Sequence, residues 1–399
     1  MRRTLLIISV IVLLIGAGFG AYFYFASSPA VSVAPTTSTT LPQAGQQSLP
    51  QTASTTTELG TPPTPQTVSS RLVQISPGPV VPGEVAVDLP ATNASSSPEV
   101  AITYLERQSG NVFTYLSQAK TLTRINNKTI PGIQSAAWLP NASAAMVRYL
   151  SGNDFSIINT YALSATSSNG FFLPQNISDI SVSSTSILTL ASGVNGSVAS
   201  LSRTDGTHSS VLFTTPLSSL RISFAGKNQY LAFSKPSATL SGDAFLVNSA
   251  GHFSRIAGPL PGLVALPSPS GKWVLVSFTQ GDTLQMELLN VATRVALPLP
   301  VATIADKCVW TSDDTSIYCG VPVQPDSSAS YPDDWYQGAV HFSDRIWKID
   351  VTGRYAQLVL DFSTLSKGTL DAEALTIDPA TTVLVFLNKN DGSLWGYSL

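Results

Sequence analysis

The densest collection of groups able to do chemistry lies in residues 322–344, where Tyr331, Asp333, Asp334, Trp335, Tyr336, His341 and Asp344 crowd together. Tyr and Trp beside acids suit recognition of a protein or a sugar, because each ring offers a flat apolar face and a polar handle. Asp326, Asp333, Asp334 and Asp344 could also offer oxygens to calcium, which takes about six to eight, but their spacing matches no EF-hand loop. Glycoside hydrolysis needs two carboxyl groups at a set separation in space, which the adjacency of Asp333 and Asp334 does not provide. His341 near Asp344 could pair a base with an orienting acid, yet no Gly-x-Ser-x-Gly elbow or other nucleophile motif accompanies them. No catalytic residue, metal site or cofactor is assigned. The segment reads as a binding surface, or else as a plug that folds over its support and buries Trp335.

The whole chain narrows these readings. Its 399 residues carry 11% charged and 43% hydrophobic side chains, and a net charge of −3. That is under half the usual charged fraction, and it leaves no basic footprint for nucleic acid. Three His and two Cys exclude a zinc finger. Ser and Thr number 93, which favours turns and strands over helices.

Three segments precede the folded part. Residues 1–4 include Arg2 and Arg3 and form a short cytoplasmic end by the positive-inside rule. Residues 5–26 hold no charge and end in Tyr22, Phe23, Tyr24 and Phe25. As a helix they would run about 33 Å, enough for about 30 Å of hydrocarbon. The run exceeds the core of a typical signal peptide, so it is expected to be a single-pass membrane anchor with the remainder extracytoplasmic; cleavage near Ala26 to Ala30 is the competing reading. Residues 27–70 contain 26 Ser, Thr or Pro and a single charge, Glu58. This is the composition of a disordered spacer.

Residues 71–399 repeat. Short apolar strands separated by tight turns recur from positions 96, 138, 182, 224, 267, 310 and 377, with spacings of 42 to 44 except for the last, which is lengthened by about 24 residues. The clearest copy runs from Leu266 through Ser268-Pro269-Ser270-Gly271 to Trp273-Val274-Leu275-Val276. A period near 43 with about four strands per unit predicts a β-propeller. The fold class is all-β: a seven-bladed propeller, with six or eight blades as the alternatives. The chain ends one strand short of a full last blade, so Arg71–Ile75 is expected to complete it and remove the exposed edge. The extra residues fall between the second and third strands of the sixth blade, and Trp335 is the one Trp with no place in the repeat. Asp in Ser151-Gly152-Asn153-Asp154, in Gln280-Gly281-Asp282 and in Lys389-Asn390-Asp391-Gly392 reads as turn chemistry. Cys308 and Cys319 flank the Asp313-Asp314 turn of one hairpin and would face each other across adjacent strands. A disulfide is expected in an oxidising compartment, against two reduced buried thiols.

The Ser268-Pro269-Ser270-Gly271 turn, with its degraded copy Ser312-Asp313-Asp314, resembles the Ser-Pro-Asp-Gly pattern of WD-repeat-like blades in bacterial Tol-type propellers. The likeness covers about residues 70–399. The segment from Cys308 to Leu399 also resembles uncharacterised membrane-anchored bacterial propeller proteins. The resemblance implies that the connection enlarged in residues 322–344 lies on the face that usually binds ligands or partners. The resulting expectation is a binding or scaffolding module at a bacterial cell envelope, engaging a protein or glycan and no nucleic acid. The alternative is an envelope glycan or peptide hydrolase or lyase with acids at the channel mouth.

Overall fold

The computed structural model describes residues 66–67, 71–90, 98–128, 130–167, 169–365 and 368–399. The expected anchor, residues 5–26, lies outside them, as does nearly all of the 27–70 spacer. Among the described residues no helix is long and apolar enough to cross a membrane.

Seven antiparallel sheets follow one another along the chain, the first six each built from four strands adjacent in sequence. Their first strands are Val85–Leu89, Ile133–Trp138, Ile177–Val182, Leu220–Phe224, Val264–Pro267, Cys308–Trp310 and Ala372–Ile377. First strands of successive blades touch, as those of the second and third, third and fourth, sixth and seventh, and seventh and first do. They therefore line the inside of a seven-bladed ring. Second strands are covered on both faces by neighbouring blades and read as unbroken apolar runs; every residue of Val383–Asn388 is buried. Periodicity in such strands carries no alternation, which is why turns rather than strands mark the repeat.

Six of the seven repeat positions, Trp138, Val182, Phe224, Pro267, Trp310 and Ile377, are each the last residue of a first strand. The weakest copy is corrected. Position 96 lies outside the described residues, and the first strand of its blade ends at Leu89. The Ser96-Ser97-Pro98 cue precedes the second strand, Glu99–Leu105, across a longer connection.

The seventh blade closes the ring. Leu72–Ser76 pairs with Leu394–Ser398, placing Leu72 opposite Tyr397, and the Ser398 amide donates to the Arg71 carbonyl at 2.9 Å. A further short strand, Gln66–Thr67, pairs outside it, with Gln66 opposite Gln74.

Because adjacent strands run antiparallel, one face of the ring collects the heads of the first strands and the connections from second to third strand. The insertion, spanning from Ser316–Pro322 to Asp344–Asp350, belongs to that face. The opposite face is stapled blade to blade. The Asp314 carboxylate accepts from Ser268 Oγ at 2.9 Å and the Ser270 amide at 3.1 Å. Asp154, Asp313 and Asp391 each accept from the backbone amide two residues on, as turn-forming Asp does. Gly271 has φ +74°, and a Cβ there would lie 2.2 Å from the Ala225 carbonyl oxygen of the fourth blade. Gly271→Ala is expected to destabilise the ring by about 2 kcal/mol or more, through both the left-handed backbone and the clash. A denaturant midpoint unchanged from wild type would refute that account.

Candidate functional site at the channel mouth

The insertion is held by a charge. Lys307 closes the short turn Ala305–Lys307 ahead of the sixth blade's first strand, and its side chain is fully buried. Its ammonium pairs with Asp344 at 2.8 Å, with Asp371 of the seventh blade, and donates to the Ala372 carbonyl at 2.9 Å. The rings of Trp335 and Phe342 face it at 4.9 and 5.0 Å. Asp371 is fully buried too. It accepts from Trp335 Nε1 at 3.0 Å and from the Phe342 amide at 2.9 Å. Tyr331 and Trp335 are 2% and 3% exposed, within the core shared by the fourth, fifth and sixth blades. The indole is thus an internal strut, as the plug reading requires, and its face is not offered to a partner.

Burial pushes the Asp344 carboxyl up to about 6, against the pull of the Lys307 ammonium. One of its oxygens accepts from the Ala372 amide at 2.7 Å and the other has no partner. The folded state therefore binds this proton more tightly than the unfolded chain. Its contribution to stability is complete below about pH 4 and is lost as pH rises through about 6. Asp344→Asn is expected to remove about 2 kcal/mol of that fall. Urea unfolding from pH 4 to 7 checks it; an unaltered slope would assign the titration to other acids.

The rest of the insertion crosses the fifth blade. Asp333 Oδ2 accepts from the Ala238 amide of the fourth blade at 3.1 Å. Asp334 caps its own loop, accepting from the Ser330 amide at 2.7 Å. In the helix Asp333–Gln337, Tyr336 donates from its hydroxyl to Asp306 at 2.7 Å, and the same carboxylate oxygen meets Arg221 at 2.6 Å. Arg221 belongs to the fourth blade and Asp306 precedes the sixth, so this bond passes over the channel mouth. Burial, then Asp306, pushes the Tyr336 hydroxyl well above its ordinary value, which keeps it protonated as a hydrogen-bond donor. His341 is exposed at the far end of the loop. Asp326 accepts from the Ser328 amide at 2.8 Å. The four acids considered for calcium thus go to separate partners, and no group of three or more His, Cys, Asp or Glu among the described residues is placed to hold a metal ion. Cys308 and Cys319 lie opposite each other and are joined as a disulfide.

Sequence reasoning missed the charges that line the mouth. Asp179, Arg221 and Lys307 each stand three residues before the last residue of a first strand. Read as a column of the aligned repeat, that position is charged in three blades of a charge-poor chain, a signal that was legible. Asp179 accepts from the Ile222 amide at 2.8 Å, and burial raises its carboxyl while Arg221 holds it down. Glu84, at the head of the first blade, is 7% exposed and neither carboxylate oxygen has a partner. Burial, then the nearby Glu373, raises it well above the usual carboxylate range.

Among the hollows that flank the insertion, two are the roomiest. One, of about 390 Å³, opens between Tyr336, Gln337 and Asp333 on one wall and Arg221, Lys235 and Pro236 on the other. The second, of about 410 Å³, lies between the fifth and sixth blades, floored by Tyr331, Leu284 and Val321 and edged by Trp347, Arg345 and Asp282.

Fold and site together define a seven-bladed β-propeller with a clamped insertion on one face. No protein-family model matches the chain, and no curated protein sequence matches it. Solved structures do resemble it. An oligogalacturonate lyase from Vibrio parahaemolyticus aligns with a TM-score of 0.55 at 9% identity, covering 82% of this chain and 93% of that one. An oligogalacturonate lyase in complex with manganese gives 0.52 at 9% identity, covering 84% and 95%. The hydrazine synthase of Kuenenia stuttgartiensis gives 0.51 at 10% identity, covering 75% and 92%. At such identities the likeness establishes the propeller fold.

Proposed function

We propose that this chain is a membrane-anchored binding module of a bacterial cell envelope, and that its ligand site is the hollow between Tyr336 and Lys235. The observation that carries this is the double fixing of the insertion. Trp335 is tied down to Asp371, while Tyr336, the next residue, is held at the mouth as one wall of an open hollow. Lys235 in the other wall is exposed and forms no ion pair among the described residues. An exposed ammonium beside a tyrosine ring and a proline suits a carboxylate-bearing glycan or peptide. The Tol-type likeness of the repeats and the apolar residues 5–26 support the envelope location.

A lyase or hydrolase is the second reading. The unpartnered Glu84 carboxyl favours it, and two of the similar folds are oligogalacturonate lyases. Against it, Asp306, Asp371 and Asp344 are all committed to cations, and Asp333, the acid in the wall of the hollow, accepts from the Ala238 amide.

Titration calorimetry against acidic oligosaccharides, oligogalacturonate among them, tests the site. Binding is expected to weaken by about tenfold or more in Lys235→Glu. Binding that ignores this change would remove the hollow from consideration, and an unsaturated sugar product lost in Glu84→Gln would establish the lyase reading instead. The anchor is tested separately. The full chain is expected to stay with membranes through alkaline carbonate extraction, and release of an intact chain would overturn the anchor.

A further inference from the structure

Three connections on the insertion face carry a large apolar residue among or beside the ordinary turn residues. Between the second and third strands, such loops favour Gly, Asn, Asp and Ser, and those of the fifth and seventh blades comply with Gly281-Asp282 and Lys389-Asn390-Asp391-Gly392. The second, third and fourth blades instead raise Phe155, Val194 and Leu240 into solvent, 67%, 101% and 71% exposed. Val194 sits in a two-residue hairpin loop closed by the Gly193–Gly196 pair. Phe155 holds φ at +55°, a left-handed conformation that a bulky residue adopts at a cost. None of the three belongs to a core cluster. The blades are consecutive, so the tips form one arc on one face, separated by small uncharged residues such as Ser192, Asn195 and Ser237.

The path of the chain says what this arc faces. Leu72–Ser76 runs toward the insertion face, since it leads to the first strand of the first blade, which begins there. Gln66–Thr67 is antiparallel to it, with Gln66 opposite Gln74 and Thr67 opposite Val73. Gln66, where this strand begins, therefore lies toward the insertion face. Between the apolar stretch ending at Ala26 and Gln66 lie residues 27–65. As a coil they would span about 30–40 Å, more than the roughly 27 Å depth of an eight-residue strand.

We infer that Phe155, Val194 and Leu240 form an apolar crown that docks on the lipid bilayer to which the chain is tethered. The inference rests on the envelope reading above. The occupant is a lipid surface because the arc is three aliphatic or aromatic points among hydroxyls and amides, without the Trp, Tyr and Arg anchors of a protein interface. Asp154 and Lys235 nearby oppose each other in sign, so attraction is apolar and insensitive to salt. Tethering supplies the high local concentration that three shallow contacts need.

Residues 60–399 form one compact unit that holds every strand of the closed ring. This fragment lacks the anchor, so its behaviour is independent of whether residues 5–26 span a membrane. It is floated with vesicles of phosphatidylcholine, at low and high salt. Wild type is expected to rise with lipid at both salts. Each single change, Phe155→Ser, Val194→Ser or Leu240→Ser, is expected to weaken partition about fivefold, and the triple variant about a hundredfold. Thermal melts of all variants should match wild type, because the three side chains are mostly exposed and lie outside the core clusters. A wild-type fragment that stays with the aqueous phase, or a triple variant that floats as well as wild type, overturns the crown. Flotation that requires anionic lipid and vanishes in salt also overturns it.

Discussion

The arrangement hangs on one buried ammonium. Lys307 has no exposure, and an unpaired charge in such a place would cost many kcal/mol. Its neighbours are therefore constrained in type as well as position. Asp344 comes from its own blade, Asp371 and the Ala372 carbonyl from the next, and the faces of Trp335 and Phe342 from the insertion. Asp371 passes the constraint on, since the Trp335 indole and the Phe342 amide donate to it. One charge thus fixes the joint between two blades and both halves of the insertion. The Cys308–Cys319 disulfide pins the strand that begins at the next residue. A pair of this kind is weak evidence of net stability, but removal of one partner strands the other, which suits a device that specifies a position.

Charge pairing also decides what the mouth can do. Going round the ring, Arg148 lies near Asp179, Asp179 near Arg221, Arg221 against Asp306, and Lys389 against Glu373. Acids held this way are already engaged by cations. The Tyr336 hydroxyl, raised by burial, donates. A wall so arranged can orient a polar ligand. Glu84 is the exception: among the described residues neither of its carboxylate oxygens has a hydrogen-bond partner.

How much of this was legible in the sequence differs by level. Blade number, ring closure by the N-terminal strand and the limits of the insertion follow from turn spacing, because turns are local and their residue types are dictated by backbone dihedrals. The hairpin partners Cys308 and Cys319 were readable for the same reason. Trp335 shows the limit. Sequence marked it as foreign to the repeat, yet whether it points out or in depends on Lys307 and Asp371, 28 and 36 positions away in the chain. Pairing across blades leaves no local trace. The charged column at Asp179, Arg221 and Lys307 was present, but it emerges only once the first strands are aligned by their ends.

The two faces of the ring have diverged in use. On the face opposite the insertion, the turns after the first strands are consumed by contacts between blades. Gly226 and Gly271 pack backbone to backbone, Asp314 holds Ser268 and Ser270, Ser312 donates to the Pro379 carbonyl, and the Ala380 amide donates to Asp88. Such turns obey local rules because stability depends on them. On the insertion face the rules are broken repeatedly, by a long helical insertion, by an unpartnered buried acid and by apolar residues at turn tips. The apolar turn tips and the buried acid cost stability without a packing return inside the ring, whereas the insertion buries Tyr331 and Trp335 in the shared core. Departures of that kind concentrate where a protein meets something other than itself, and here they share one face of the ring.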